Sequence, residues 1–142
     1  MKKRIKLIII GILVVGMVVF ISVCALSYKA QETNDSRVTY KGKILTVVLK
    51  ENPTTPYVWE FTIEGNSLKA LDDNYVQDLG GQMRDGVGGT HTFRFEGVSE
   101  GTVVLNMNHL SRNPEEINPL ETIVIEVQVS SDGTIKDVKV VN

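Results

Sequence analysis

The stretch YVWEFTIE, residues 57–64, alternates apolar and polar side chains with a period of two. Its larger apolar members stand at every second position: Tyr57, Trp59, Phe61 and Ile63. Successive side chains of a β-strand point to opposite faces, so this spacing predicts a strand with one apolar face. The same period recurs in residues 93–95, 103–107 and 123–129, whereas residues 44–49 are apolar on both faces and residues 135–141 are apolar at positions 135, 138 and 140.

No part of the chain after the N-terminal segment has a convincing helical period of 3.6. Residues 68–77 are less regular, but they contain too many polar breaks for an amphipathic helix. Seven or eight short strands within about 105 residues predict an all-β fold, an immunoglobulin-like antiparallel β-sandwich. We expect Trp59, Phe93 and Leu105 in its core.

The N-terminus predicts export. A basic run, MKKRIK, precedes residues 7–26, which carry no charge and have the length of a membrane-spanning hydrophobic helix. An uncleaved anchor ranks first, cleavage after Ala25 second, and lipidation of Cys24 third, because Val23 stands where that processing requires a small residue. We therefore divide the chain into a signal peptide or membrane anchor (1–30), a polar tether (31–36) and an extracytoplasmic domain (37–142).

The charge of the exported part excludes one class of partner. Five of the fifteen basic residues precede the first acid, Glu32, so ten basic and seventeen acidic residues remain. Such an acidic domain is repelled by nucleic acid. Cys24 is the only cysteine, so the domain folds without disulfides and depends on its core.

The connections between the predicted strands alternate between two kinds. Tight turns contain Gly65, residues 97–101 and Gly133, whereas longer connections span residues 52–56, 79–90 and 111–119. Successive antiparallel strands run in opposite directions, so every second connection lies at the same end. The three longer connections should therefore share one end, where sandwiches build binding surfaces.

Each longer connection also has a neutral interpretation. In the first, prolines restrict the backbone around two threonines, which pre-orders the segment for a groove or simply starts a turn. In the second, GVGG (86–89) lets the backbone approach a partner or merely gives flexibility. The charges of the third, SRNPEEINP, are explained by solvation alone.

Together, the three connections resemble the chagasin-type inhibitors of papain-like cysteine peptidases. Those inhibitors combine an Asn-Pro-Thr-Thr-Gly-aromatic-x-Trp loop, a Gly-x-Gly-Gly loop and an Arg-Pro-Trp loop in this order. NPTTPYVW (52–59) and GVGG (86–89) fit the first two, and the resemblance covers residues 38–129. Two departures stand out: Pro56 replaces a glycine, and the third motif keeps Arg112 and Pro114 without a tryptophan.

The resemblance implies a reversible, non-covalent inhibitor and not an enzyme. Its first loop would lie over the catalytic cysteine of the peptidase, and the other two would flank it. The binding residues implied are Asn52, Pro53, Thr54, Thr55, Pro56, Tyr57, Gly86, Val87, Gly88, Gly89, Arg112, Asn113 and Pro114. The two departures imply a weaker or narrower inhibitor. We expect a monomer, no cofactor or metal, and membrane contact only through residues 7–26.

The sequence also bears on catalytic, metal-binding and non-inhibitory functions. His91 and His109 are the only histidines, and no cysteine of the domain can pair with them as a nucleophile, which argues against a hydrolase. No cluster of residues has metal-ligand spacing. A non-inhibitory immunoglobulin-like adhesion or protein-interaction module stays open, as does a subunit that binds a peptidase without blocking it.

Overall fold

A computed structural model of the chain describes residues 30–78 and 86–141. The hydrophobic segment at residues 7–26, Cys24 and residues 79–85 lie outside the described residues. Within the described ranges, no helix has the length and apolarity needed to cross a membrane. These ranges contain nine strands: β1 (Gln31–Glu32), β2 (Val38–Lys41), β3 (Ile44–Glu51), β4 (Tyr57–Glu64), β5 (Leu68–Gln77), β6 (Gly89–Gly97), β7 (Gly101–Ser111), β8 (Glu121–Val129) and β9 (Ile135–Val141).

The strands form two antiparallel sheets. One has the order β1-β2-β3-β6-β5 and the other the order β4-β7-β8-β9. Apolar side chains at alternate positions of β3, β6, β7 and β8 are buried between them. The predicted immunoglobulin-like sandwich is confirmed, with eight strands of four residues or more and the two-residue β1 added at an edge.

The core contains the residues that the alternation places there. Phe93 and Leu105 are buried, and Trp59 is 7% exposed. Phe61, on the same face as Trp59, is 37% exposed because β4 is an edge strand and one side of its ring stays open. Its exposed ring still packs edge-on against Phe95, with ring centroids 5.1 Å apart.

The irregular segment 68–77 forms the long edge strand β5. It pairs only with β6, and its register shifts between Ala70 and Asp72. Most of its side chains are exposed, which is why its sequence lacks a clear apolar alternation. Polar, charged and bulged edges of this kind discourage pairing with other chains.

Residues 31–36, the segment expected to be a polar tether, make specific hydrogen bonds with the folded unit. Gln31 pairs with Tyr40 in β2, and the compact unit begins at Gln31. The side chain of Asn34 donates to the backbone oxygen of Val140 and accepts from its amide, at 2.8 Å in both cases. A short polar segment can satisfy its backbone and side-chain hydrogen bonds against a sheet instead of in water.

Asp35 and Arg37 secure this segment to the second sheet. The Asp35 carboxylate accepts from the Arg37 backbone amide at 2.9 Å and from its guanidinium at 2.8 Å. Arg37 also donates to Glu121 at 2.6 Å, at the start of β8. The hydrogen bond from the Arg37 side chain lowers the pKa of Asp35 below its ordinary 3.8.

We expect Asp35→Asn to lower the free energy of unfolding by roughly 1 kcal/mol at pH 7. A carboxyl whose pKa is lowered by folding stabilises the protein above its unfolded pKa, and that contribution is lost as the pH falls through its folded pKa. The difference in the free energy of unfolding between variant and wild type should therefore have its full value above about pH 4 and decrease below it. Urea unfolding between pH 2 and 7 measures this pH dependence, and Asp137→Asn, at an exposed position, is the control. A stability difference that is the same at every pH would contradict the prediction.

Candidate functional site

The three longer connections lie at one end of the sandwich, as their alternation predicts. Between the strands we define loop 1 (residues 52–56), loop 2 (78–88, of which 78 and 86–88 are described) and loop 3 (112–120). Gly89, which follows loop 2, pairs with Glu51, which precedes loop 1. Tyr57, which follows loop 1, pairs with Ser111, which precedes loop 3. Loop 1 therefore lies between the other two.

Loop 1 is a tight turn organised by Asn52. The Asn52 backbone oxygen accepts from the Thr55 amide at 3.0 Å and from its hydroxyl at 2.7 Å. The Asn52 side-chain oxygen accepts from the Thr54 amide at 3.1 Å and from its hydroxyl at 2.8 Å. Pro53 occupies the second turn position, where its fixed φ is favourable. The loop is thus pre-ordered by four hydrogen bonds as well as by its prolines.

The threonine hydroxyls of loop 1 take part in its internal hydrogen bonds. Both donate to Asn52 within the turn, so their protons are already used, although each oxygen can still accept from a partner. Thr54 is exposed and Thr55 only partly so, which makes Thr54 the tip. Pro56 fits because no non-glycine residue among those described has a positive φ.

Loop 2 contacts loop 1 through the glycine segment. The Asn52 side-chain amide lies 3.4 Å from the Gly86 oxygen. Gly86 is exposed and has a φ of +85°, a conformation that favours glycine. A Cβ at Gly88 would lie 3.3 Å from the Glu51 oxygen, so this glycine lets the two loops approach closely. Val87, between them, is partly exposed.

Gly89 has a packing role that its sequence motif does not reveal. It is buried, and a Cβ there would overlap the Val76 carbonyl and the Tyr75 hydroxyl. That hydroxyl is buried without a hydrogen-bond partner among the described residues, and desolvation raises the pKa of the Tyr75 phenol. Close approach of β5 therefore explains the glycine at position 89.

Loop 3 repeats the turn of loop 1. The backbone oxygen of Asn113 accepts from the Glu116 amide at 3.0 Å, and the side-chain oxygen of Asn113 accepts from the Glu115 amide at 3.2 Å. Pro114 again occupies the second position, so both Asn-Pro pairs start a tight turn. The backbone amide of Arg112 donates to Pro56 at 2.6 Å, which joins loop 3 to loop 1.

The exposed side chains of loop 3 face solvent. No hydrogen bond or ion pair joins the Arg112 guanidinium to another described residue, and Asn113 and Pro114 beside it are exposed. The Tyr57 hydroxyl lies 3.5 Å from Glu116. Loop 3 thus presents a cation beside loop 1 on a backbone that is held in place.

Aromatic rings support loop 1 from below. Trp59 stacks on His109 with centroids 4.6 Å apart, and its indole nitrogen donates to the Lys50 oxygen at 3.0 Å. Tyr57 meets His109 edge-on at 5.8 Å. His109 is therefore a packing residue under the loop.

A charged cluster that sequence reasoning missed lies at the base of loops 1 and 2. His91 on β6 contacts Glu51 through Nδ1, and its Nε2 lies 2.7 Å from Asp73. The Glu51 side chain is 7% exposed and that of His91 14%, whereas that of Asp73 is 61% exposed. The available signal was the inward-facing position of Glu51, which continues the alternation of Leu45 through Leu49.

These features define a β-sandwich that presents a braced three-loop surface at one end, which is the architecture of a binding domain. The profile of the chagasin family peptidase inhibitor I42 matches residues 39–127, and the chain belongs to this family. No curated protein matches the chain significantly.

Two solved structures have a similar fold. The crystal structure of the cysteine protease inhibitor EhICP2 from Entamoeba histolytica has a TM-score of 0.51 and 14% identity, over 62% of this chain and 77% of that one. The solution structure of amebosin has a TM-score of 0.51 and 27% identity, over 69% of this chain and 94% of that one. The first likeness bears on the fold alone.

Proposed function

We propose that this domain is a reversible, non-covalent inhibitor of papain-like cysteine peptidases and has no enzymatic activity. Loop 1 covers the catalytic cysteine, and loops 2 and 3 contact the cleft on either side. The observation that carries the proposal is that loop 1 is hydrogen-bonded to both neighbours, through Asn52 to Gly86 and through Pro56 to Arg112. Membership of a peptidase inhibitor family supports it.

The geometry of loop 1 suits an inhibitor that is not cut. The hydrogen bond from Thr55 to Asn52 closes the turn, so residues 52–55 do not present the extended backbone of a substrate. Pro53 and Pro56 also lack the backbone N–H that an extended segment donates when it pairs with another chain. A pre-ordered loop also loses little conformational entropy on binding.

Loops 2 and 3 provide different contacts. The exposed backbone around Gly86 and Val87 offers amides and carbonyls to one wall of the cleft. Arg112, with Asn113 and Pro114, offers a cation to the other wall. Inhibition is reversible because no cysteine follows Cys24, so the domain holds no thiol for a bond to the peptidase.

The same proposal places the domain outside the cytoplasm. The basic run and the uncharged residues 7–26 support export, with the segment retained as an anchor or cleaved. The target peptidase would then meet the domain at the cell surface or beyond it.

The proposal predicts that residues 31–142, which form one compact unit, inhibit papain competitively at or below micromolar concentration. Initial rates at several substrate concentrations measure the inhibition constant and the mode. Full papain activity at that concentration would contradict the proposal and favour a surface module. Binding without competition with substrate would instead indicate a non-blocking partner of the peptidase.

A further inference from the structure

The most exposed apolar side chains lie at the loop end of the sandwich. Among the described residues, the three most exposed large hydrophobics are Ile117 at 82%, Leu120 at 61% and Val76 at 58%. Ile117 and Leu120 belong to loop 3, and Val76 lies on β5 beside loop 2. Single exposed hydrophobics are ordinary, but Ile117 and Leu120 lie only three residues apart in one loop, and neighbouring exposed apolar side chains are typical of a contact surface.

Loop 3 holds its two apolar side chains in position. The Leu120 amide donates to the His109 oxygen at 2.8 Å, which fixes the end of the loop. The turn closed by Glu116 immediately precedes Ile117, and Pro119 restricts the backbone before Leu120. These side chains are therefore displayed on a restrained backbone, and ordering them in a complex requires little further loss of entropy.

We infer that Ile117 and Leu120 form the apolar anchor of loop 3 on the wall of the peptidase cleft. This inference rests on the proposed function. The third motif lacks the tryptophan that the related inhibitors have there, yet loop 3 still adjoins loop 1 through the hydrogen bond between Arg112 and Pro56. Ligand clefts are lined largely by apolar side chains, and a few buried anchors provide most of an interface's affinity.

Loops 2 and 3 present different chemical groups to the two walls of the peptidase cleft. On the loop 2 side, polar backbone at Gly86 and Val87 is exposed next to loop 1. On the loop 3 side, residues 112–120 are all exposed, and they include the Arg112 guanidinium, the carboxylates of Glu115 and Glu116, and these two aliphatic side chains. The peptidase wall that meets Ile117 and Leu120 should therefore offer an apolar patch.

The test compares Ile117→Ser, Leu120→Ser and the double variant with Val98→Ser. Val98 is 44% exposed and lies in the β6–β7 turn at the opposite end, so its loss should leave inhibition unchanged. We expect the inhibition constant for papain to rise about tenfold for each loop 3 variant, with unchanged thermal unfolding because both side chains are exposed.

The outcomes separate this inference from the function on which it rests. If the wild-type domain does not inhibit papain, the proposed function fails and the anchor fails with it. If the wild type inhibits and the loop 3 variants inhibit equally well, only the anchor is wrong. The surface could instead bind a second copy of the domain, which sedimentation of each variant tests. A wild-type dimer that becomes a monomer in Ile117→Ser, while the inhibition constant is unchanged, would assign the surface to that second copy and contradict the anchor.

Discussion

Thr54→Arg is expected to raise the inhibition constant for a papain-like peptidase by on the order of a hundredfold or more. Thr54 is the exposed tip of loop 1, so in the proposed complex it enters the narrowest part of the cleft. An arginine there adds volume as well as a charge that would be desolvated without a partner.

The fold should tolerate this substitution. The Thr54 amide can still donate to Asn52, because that bond uses the backbone. The variant loses only the bond from the Thr54 hydroxyl, which is exposed and contributes little. Thermal unfolding should therefore be nearly unchanged. Thr55 is a poorer position for this test, because its hydroxyl bond to Asn52 and its partial burial mean that Thr55→Arg would change stability as well as binding.

Two controls isolate the contribution of the tip. Thr54→Ser keeps the hydroxyl donor and should inhibit almost as well as the wild type. Ser131→Arg places the same new charge on the exposed β8–β9 turn at the opposite end and should leave the inhibition constant unchanged. Equal inhibition by Thr54→Arg and wild type would mean that loop 1 does not enter the cleft.

The sandwich was predictable because its central strands are buried on one face only. In β7 and β8, apolar residues at alternate positions are buried, so the sequence alternates apolar and polar residues with the period of a strand. The shared end of the three loops followed from strand direction alone. The turn formed by Asn52 and Pro53 was also accessible, because Asn-Pro is a strong turn signal.

The remaining features depend on contacts between distant residues. The hydrogen bond from Asn34 to Val140 joins residues 106 apart in sequence, so composition suggested only a tether. The inward donation of the loop 1 hydroxyls depends on how the turn closes. The sequence places Ile117 and Leu120 in a loop, but only the folded structure gives the exposed fraction of their side chains. The pairing of Glu51 with His91 required the register of β3 against β6.

That pairing predicts the largest effect on stability. His91→Ala is expected to lower the free energy of unfolding by about 3 kcal/mol, because it leaves the nearly buried Glu51 carboxylate without its partner. A drop of about 10 °C or more in the midpoint of thermal unfolding should accompany it. The inhibition constant should also rise, since Glu51 immediately precedes Asn52 and its displacement would disturb the turn.

Comparison variants identify burial as the cause. Asp73→Ala removes the other contact of His91, but that carboxylate is 61% exposed, so the loss should stay below about 1 kcal/mol. Replacing both members of the buried pair, as Glu51→Leu with His91→Leu, should recover much of the stability, because no uncompensated charge then remains in the core. Chemical denaturation of the four proteins gives these differences. Equal losses for His91→Ala and Asp73→Ala, or a double variant no more stable than His91→Ala, would mean that the loop base depends on packing around the ring and not on the charge of Glu51.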